Sequence, residues 1–403
     1  MTETVQQRVR RRRVFYIPGY DPIHPRRYRE LYRKEGRAQA RISGYELALT
    51  PKTGGGAYGW HAVGRIEGAQ VESDIDVLVW SDIVRGSMAQ GIWATYGQLL
   101  RTVWVYVASG ALFGLMRLRK GPVIAALYPI LMLLGQLALA LLAARLLGAF
   151  LALSGLPLIG WLGLGIIWPV LDRFRRADHR LFAYYLMHDY AYSARWNGAN
   201  PPELEARMAA FRKAIAAALN DDVDEVLVVG HSSGAHLAVS ILADLIRGGP
   251  LPEDGPALSF LSLGQVVPMV SFLPGAGRLR ADLHFLSARE ELTWVDVTAP
   301  GDGCSFALCD PVAVTGVAPG NQRWPLVISA AFTQTLSPAR WKALRWRFFR
   351  LHFQYLCAFD RPGDYDYFRI TAGPLTLGAR YAGRAPSKSM IARPASRYRS
   401  MAA

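Results

Sequence analysis

The residues with the clearest chemical potential are Gly230-His231-Ser232-Ser233-Gly234, a Gly-x-Ser-x-Gly turn. Four apolar residues, Val226 to Val229, precede it, and the small residues Ala235, Ala238, Ser240 and Ala243 follow it. A buried strand that passes through so sharp a turn into a helix holds its serine at the apex, with Oγ lifted clear of the sheet. Gly230 and Gly234 lack Cβ atoms, which lets strand and helix close on each other. The Ser233 amide then opens the helix, faces the same space, and can donate to an oxyanion. Glycine makes up 38 of the 403 residues, so the pentapeptide alone carries little; the strand before it and the helix after it carry the reading.

A serine hydroxyl is a weak nucleophile at neutral pH and needs a base, which in turn needs an orienting carboxylate. Downstream, residues 291–298 read as a strand that runs into Ala299-Pro300-Gly301-Asp302-Gly303. Asp302 therefore falls just past the carboxyl end of a strand, where ligands gather in open α/β sheets, and is the expected acid. Asp296 within that strand, Asp310 and Asp282 are the alternatives, and a Gly-Asp-Gly turn alone would also suit an aspartate. His284 and His352 are the histidines beyond the elbow helix and hence the candidate bases; His231 and His236, beside the serine, are expected to pack or to line a pocket. A second oxyanion donor must come from the loop after a neighbouring strand. The apolar run 14–17 ends in Pro18-Gly19-Tyr20, which offers the Gly19 and Tyr20 amides and none from Pro18.

Positioning these groups takes alternating strands and helices. Residues 14–17, 45–50, 58–64, 75–80, 226–229, 258–263, 291–298 and 325–330 read as strands. Residues 25–42, 97–116, 178–196, 202–220, the stretch after Gly234 and 338–359 read as helices. The second and third strands form a hairpin across Gly54-Gly55-Gly56, and 202–220 opens with proline followed by Glu203 and Glu205, as helix N-termini do. The alternation predicts an α/β fold with a mostly parallel sheet flanked by helices.

Residues 121–171 interrupt this pattern. Residues 122–144 carry no charge over 23 positions, Arg145 intervenes, and 146–171 are again uncharged. About 20 apolar residues cross a bilayer core as a helix, so the block is long enough for a transmembrane helical hairpin turning between Arg145 and Pro157. Arg117, Arg119 and Lys120 precede it and Arg173, Arg175, Arg176 and Arg180 follow it, which places both ends on the cytoplasmic side of a cell membrane. A monotopic hairpin that never reaches the far side satisfies the same charges. Trp93, Trp104 and Trp161 are candidate interface anchors.

The formal net charge of +15 gathers at the flanks of this block and at the termini, and the chain holds no nucleic-acid-binding module, so a bilayer is the expected partner and nucleic acid is not. The arginines among residues 1–13 follow no signal-peptide pattern and read as a basic arm for anionic headgroups or solvent. The division expected is therefore this arm, a first part of the catalytic domain (14–96), an apolar helix plus hairpin (97–177), a second catalytic part (178–380) and a basic tail (381–403). Cys304, Cys309 and Cys357 show no metal-ligand spacing and no disulfide framework; no metal or cofactor is expected, and the trio fits a reducing compartment.

Taken together, these segments resemble the α/β-hydrolase superfamily, lipase- and esterase-like members in particular. The resemblance rests on Ile17-Pro18-Gly19-Tyr20-Asp21, the Gly230–Gly234 elbow, the stretch from Trp294 to Asp302, and His352 with Tyr355 as a His-x-x-Tyr segment, and covers roughly residues 14–80 and 178–370. It implies a Ser232–His352–Asp302 triad, because the superfamily's order of serine, acid and histidine selects His352, and a serine hydrolase acting on a small amphiphilic ester. Pro-Gly stands where the family often has His-Gly, the large insertion precedes the elbow, and His352 falls in a segment that reads as helix. An acyltransferase using the same triad and an inactive membrane adaptor are the competing readings. Arg26, Arg27 and Arg29 are candidates for an anionic headgroup, or a solvated helix face.

Overall fold

Successive side chains of a strand point to opposite faces, so a continuous apolar run such as Val226-Leu227-Val228-Val229 buries both. The computed structural model describes residues 8–52, 55–155 and 158–402; residues 1–7 of the expected arm, Gly54 of the hairpin loop and Pro157 at the expected turn lie outside them. The strands are β1 (Arg11–Ile17), β2 (Glu46–Pro51), β3 (Gly59–Ile66), β4 (Ala69–Val77), β5 (Glu225–His231), β6 (Ala257–Leu263), β7 (Leu292–Thr298) and β8 (Leu326–Ser329). They form one sheet in the order β2-β3-β4-β1-β5-β6-β7-β8. β2–β3 and β3–β4 pair antiparallel; all other pairings are parallel. The expected α/β class with a mostly parallel sheet is what the chain adopts.

Val226 and Val228 of β5 point to one face, among α9 (Pro202–Ala218), α10 (Ser233–Arg247) and the helix Gly277–Ser287. Leu227 and Val229 point to the other, among α1 (Arg26–Ser43) and residues 351–381. Because the parallel strands share a direction, the loops after β1, β5, β6 and β7 all leave the same edge: Ile17 pairs with Gly230, His231 with Leu263, and Leu263 with Val297.

Several elements differ from the sequence reading. Arg11, Arg12 and Arg13 belong to β1 rather than to a free arm, and Arg12 is fully buried. Its guanidinium pairs with Glu225 of β5 at 2.6 Å and donates to the Gly373 and Leu375 carbonyls, so a partner 213 positions away made it a core residue. The strand expected over 75–80 begins at Ala69 and stops at Val77, its charged outward residues having hidden its first half. The helix expected over 97–116 is α3 (Ile92–Ala108) and α4 (Ala111–Met116), broken where Gly110 takes a positive φ of 75°. A further helix, α2 (Ser81–Met88), precedes them.

The hydrophobic block forms one long helix, α5 (Lys120–Ala152), of 33 residues or about 50 Å. Among the described residues it is the one helix long and apolar enough to cross a membrane. The return limb is a 3-10 segment (Ile159–Ile166) followed by α6 (Ile167–Arg176). Gly160, Gly163 and Gly165 disfavour a second long helix, while Gly163 approaches so closely that a Cβ there would stand 2.6 Å from the Gly148 nitrogen. The base of α5 packs on the domain, where Leu133 meets Leu99, Tyr184 and Met187, while Leu131, Leu139, Leu146, Phe150 and Trp161 stay exposed. Residues 178–196 divide into α7 (Asp178–Leu181) and α8 (Ala183–Arg195) at Phe182, φ 55°. The C-terminal residues lie against the domain rather than free of it: Ile391 bridges Cys309, and the Ser400 carbonyl accepts from buried Arg280 at 2.6 Å.

Candidate active site

The elbow takes the form its sequence implies. β5 ends at His231, Ser232 adopts φ 55° and ψ −122°, and α10 begins at Ser233. A non-glycine residue held at that φ is a local strain that persists only where its surroundings impose it. They do so here: the Ser232 amide donates to the Leu263 carbonyl at 2.9 Å, a Cβ at Gly230 would lie 2.8 Å from Ala235 Cα, and one at Gly234 would collide with the Ile17 carbonyl oxygen.

The loop after β1 arches over the serine. A Cβ placed on Gly19 would sit 3.4 Å from Ser232 Oγ, so this backbone borders that hydroxyl directly. Trp80 Nε1 donates to the Pro18 carbonyl at 2.9 Å, Tyr185 Oη donates to the Tyr20 carbonyl at 2.5 Å, and Asp21 accepts from the Ile23 amide and the Tyr28 hydroxyl. With its carbonyls and side chains pinned, the loop leaves the Gly19 and Tyr20 amides without acceptors among the described residues. These and the Ser233 amide at the start of α10 are the donors available to an oxyanion.

Asp302 and His352 meet across 50 residues of sequence. His352 Nδ1 lies 2.8 Å from Asp302 Oδ2, and both residues are buried. Tyr355 Oη donates to the same carboxylate oxygen at 3.0 Å, and the Cys304 amide donates to Oδ1 at 2.9 Å. Burial pushes the Asp302 carboxyl up, but the charge of His352, its hydrogen bond, the Cys304 amide and the Tyr355 hydroxyl together outweigh burial and hold it below the ordinary carboxylate value. The histidine segment is not the long helix expected over 338–359. Pro338–Leu344 and Phe348–His352 are short helices, and His352 closes the second, which frees its ring to reach the sheet edge. That ring packs on Gly264, where a Cβ would stand 3.1 Å from His352 Cε1; Gly264 directly follows Leu263, the residue that anchors the Ser232 amide. Ser232 Oγ itself makes no hydrogen bond among the described residues, a looseness common before substrate binds.

The remaining candidates are occupied elsewhere. Asp296 takes a hydrogen bond from Ser262 at 2.5 Å, and burial raises its carboxyl to about 8. Asp310 caps the helix Pro311–Thr315, Asp282 pairs with Arg247, and His284 bonds the Val317 carbonyl. Of the headgroup candidates, Arg27 lies over the Phe353 ring at 4.7 Å and 3.4 Å from Asp21, while Arg26 is exposed. His231 does more than fill space: Nε2 donates to the His352 carbonyl at 3.0 Å, and burial followed by the His352 charge lowers its pKa to about 3, so it is a neutral donor.

Asp302, Cys304 and His352 bring ligand atoms within 4.8 Å of one another, a set whose chemistry could suit a divalent transition metal. Two of the three are already bonded to each other, and burial raises the Cys304 thiol well above its ordinary value, so the set fits a charge-oriented imidazole better than a metal cradle.

One site residue escaped the sequence reading. Asp189 of α8 lines a small cavity together with Tyr20, Ser233 and His236. The signal was the spacing Tyr185, Asp189, Tyr192, which puts three polar-tipped residues on one helix face. Compared with protein-family models, curated proteins and solved structures, the chain matches none.

Proposed function

We propose that this protein is a serine hydrolase that cleaves an ester by way of an acyl-enzyme on Ser232. The observation that carries the reading is the convergence, at one sheet edge, of a strained serine, an Asp302–His352 pair and free amides on both sides of the serine. In this mechanism His352 Nε2 takes the Ser232 proton as Oγ attacks the carbonyl carbon, and returns it to the departing alkoxide. Asp302 fixes the tautomer that leaves Nε2 free and offsets the charge of the imidazolium. Water then attacks the acyl-enzyme with His352 as base again, releasing the acid.

The setting of the hydrolase is a membrane surface. Exposed Trp93, Leu100 and Trp104 of α3, Phe113 and Met116 of α4, and most of the outer half of α5 form an apolar area far larger than isolated surface residues make. The apolar part of the return limb, 159–171, spans about 24 Å by 3-10 and α-helical rise, short of the roughly 30 Å hydrocarbon core. Exposed Arg145 on α5 adds a charge to that limb's neighbour. Both features favour a hairpin that enters one leaflet and returns, with the basic flanks and the catalytic domain on the cytoplasmic side. The substrate is then an amphiphilic ester that partitions into the bilayer.

Labelling with a fluorophosphonate tests the reading. Wild-type protein in native membranes is expected to label and Ser232→Ala to remain unlabelled; a folded wild type that never labels would leave an inactive membrane adaptor as the better account.

A further inference from the structure

The cavity beside the oxyanion loop holds polar groups that the triad does not use. Its walls include Tyr20 and Ser233, whose amides are the candidate oxyanion donors, and Asp189, Tyr192 and His236. Asp189, partly exposed, has no hydrogen-bond or ion-pair partner among the described residues, and Tyr192 Oη and His236 Nδ1 are buried without partners. Two buried unpaired atoms beside an unpaired carboxylate are costly unless a ligand or water completes them. The space measures about 20 Å³, room for a single water-sized group.

We propose that Asp189 recognises the substrate, receiving one hydrogen-bond donor, a hydroxyl or an ammonium, carried on the acyl chain close to the carbonyl that Ser232 attacks. This rests on the serine-hydrolase reading above. The acyl side is indicated by what lines the cavity: the oxyanion residues do, whereas His352 and Asp302, beside which the leaving alcohol must stand, do not. A donor is indicated by the acceptors: a carboxyl, and a His236 ring whose pKa burial lowers to about 4, leaving it neutral with an acceptor nitrogen. A single group is indicated by volume.

The charged and titratable groups around Asp189 are Tyr192 and His236 across the cavity, and His352, Tyr20, Tyr106, Tyr185, Tyr190 and Cys304. Burial raises the tyrosines and the thiol away from neutrality. Burial likewise raises Asp189, offset by the His352 charge, to about 7. The carboxyl thus changes charge across the working range, which separates the two donors: a hydroxyl is held on either side of the change, an ammonium mainly above it.

The test uses three 4-nitrophenyl phosphonates with n-propyl, 2-hydroxypropyl or 2-aminopropyl on phosphorus. Ser232 Oγ bonds to phosphorus, its proton passes to His352, and 4-nitrophenolate leaves, so the labelling rate is read from nitrophenolate release and intact mass without any turnover. Wild type is expected to favour a donor-bearing probe over the propyl probe by about tenfold, the worth of one buried hydrogen bond. Asp189→Ala should bring the ratio close to one. If the natural donor is a hydroxyl, Asp189→Asn keeps the preference; if it is an ammonium, Asp189→Asn loses it and the wild-type ratio climbs from pH 6 to 8. An equal ratio in wild type and Asp189→Ala overturns the proposal while leaving the hydrolase standing; a wild type that no probe labels overturns both.

Discussion

The carboxylate at Asp302 is held by three donors at once, and only one of them is the imidazole. Asp302→Asn should therefore keep its place through the Cys304 amide yet present the wrong tautomer of His352. A fall in kcat of about 10³- to 10⁴-fold with little change in KM is expected, as for other triads that lose this charge. His231→Phe removes the donor to the His352 carbonyl and preserves the ring stack; losing one hydrogen bond of about 1 kcal/mol predicts a kcat reduced roughly fivefold to tenfold. Asp296 gives a stability prediction of opposite chemistry. Its folded pKa, about 8, lies above the unfolded value near 3.9, so the native state binds the extra proton between those limits and stability declines as pH rises through them. Asp296→Asn should melt higher than wild type at pH 8, with the advantage fading toward pH 4; thermal unfolding at the two pH values checks it.

Elements were legible where a local rule fixed them. The elbow, the strand before Asp302 and the helix beginning at Pro202 each carry their own signal in consecutive residues, and the structure keeps all three. What the sequence hid were breaks and long-range partners. Gly110 and Phe182 take positive φ inside stretches that read as single helices, and Arg12 looks like part of a basic run until Glu225 is beside it. The Asp302–His352 pairing followed from chain order and resemblance, whereas the Tyr185, Asp189, Tyr192 spacing marks a helix face without saying that this face looks at the elbow. Gly19 belongs to this scale, since its role comes from a loop meeting an elbow 213 positions away. Gly19→Ala inserts a methyl 3.0 Å from Ser232 Cβ. The melting temperature should move by only a few degrees while phosphonate labelling slows by about 100-fold, the scale seen when oxyanion donors are displaced.

The molecule as a whole places a soluble-looking sheet against an apolar hairpin whose tip lies near Ser154 and Gly155. A hairpin confined to one leaflet predicts that Ser154→Cys, in a chain whose three native cysteines are replaced by serine or alanine, resists membrane-impermeant maleimide from the far side. Labelling from that side would mean a spanning hairpin. The sheet order carries a separate consequence for how the protein is made. β1 lies between β4 and β5, yet the ribosome delivers residues 78–224, the whole hydrophobic block among them, after β4 and before β5. The nascent chain therefore emerges with the future seam of its sheet open, and Ser232, Asp302 and His352 are still unsynthesised when the long apolar helix is exposed. On the proposed reading, Ser232, Asp302 and His352 come together only after the apolar segment has had time to find lipid, so a half-made chain would be an address without an activity, and hydrolysis would begin only where the chain has been delivered.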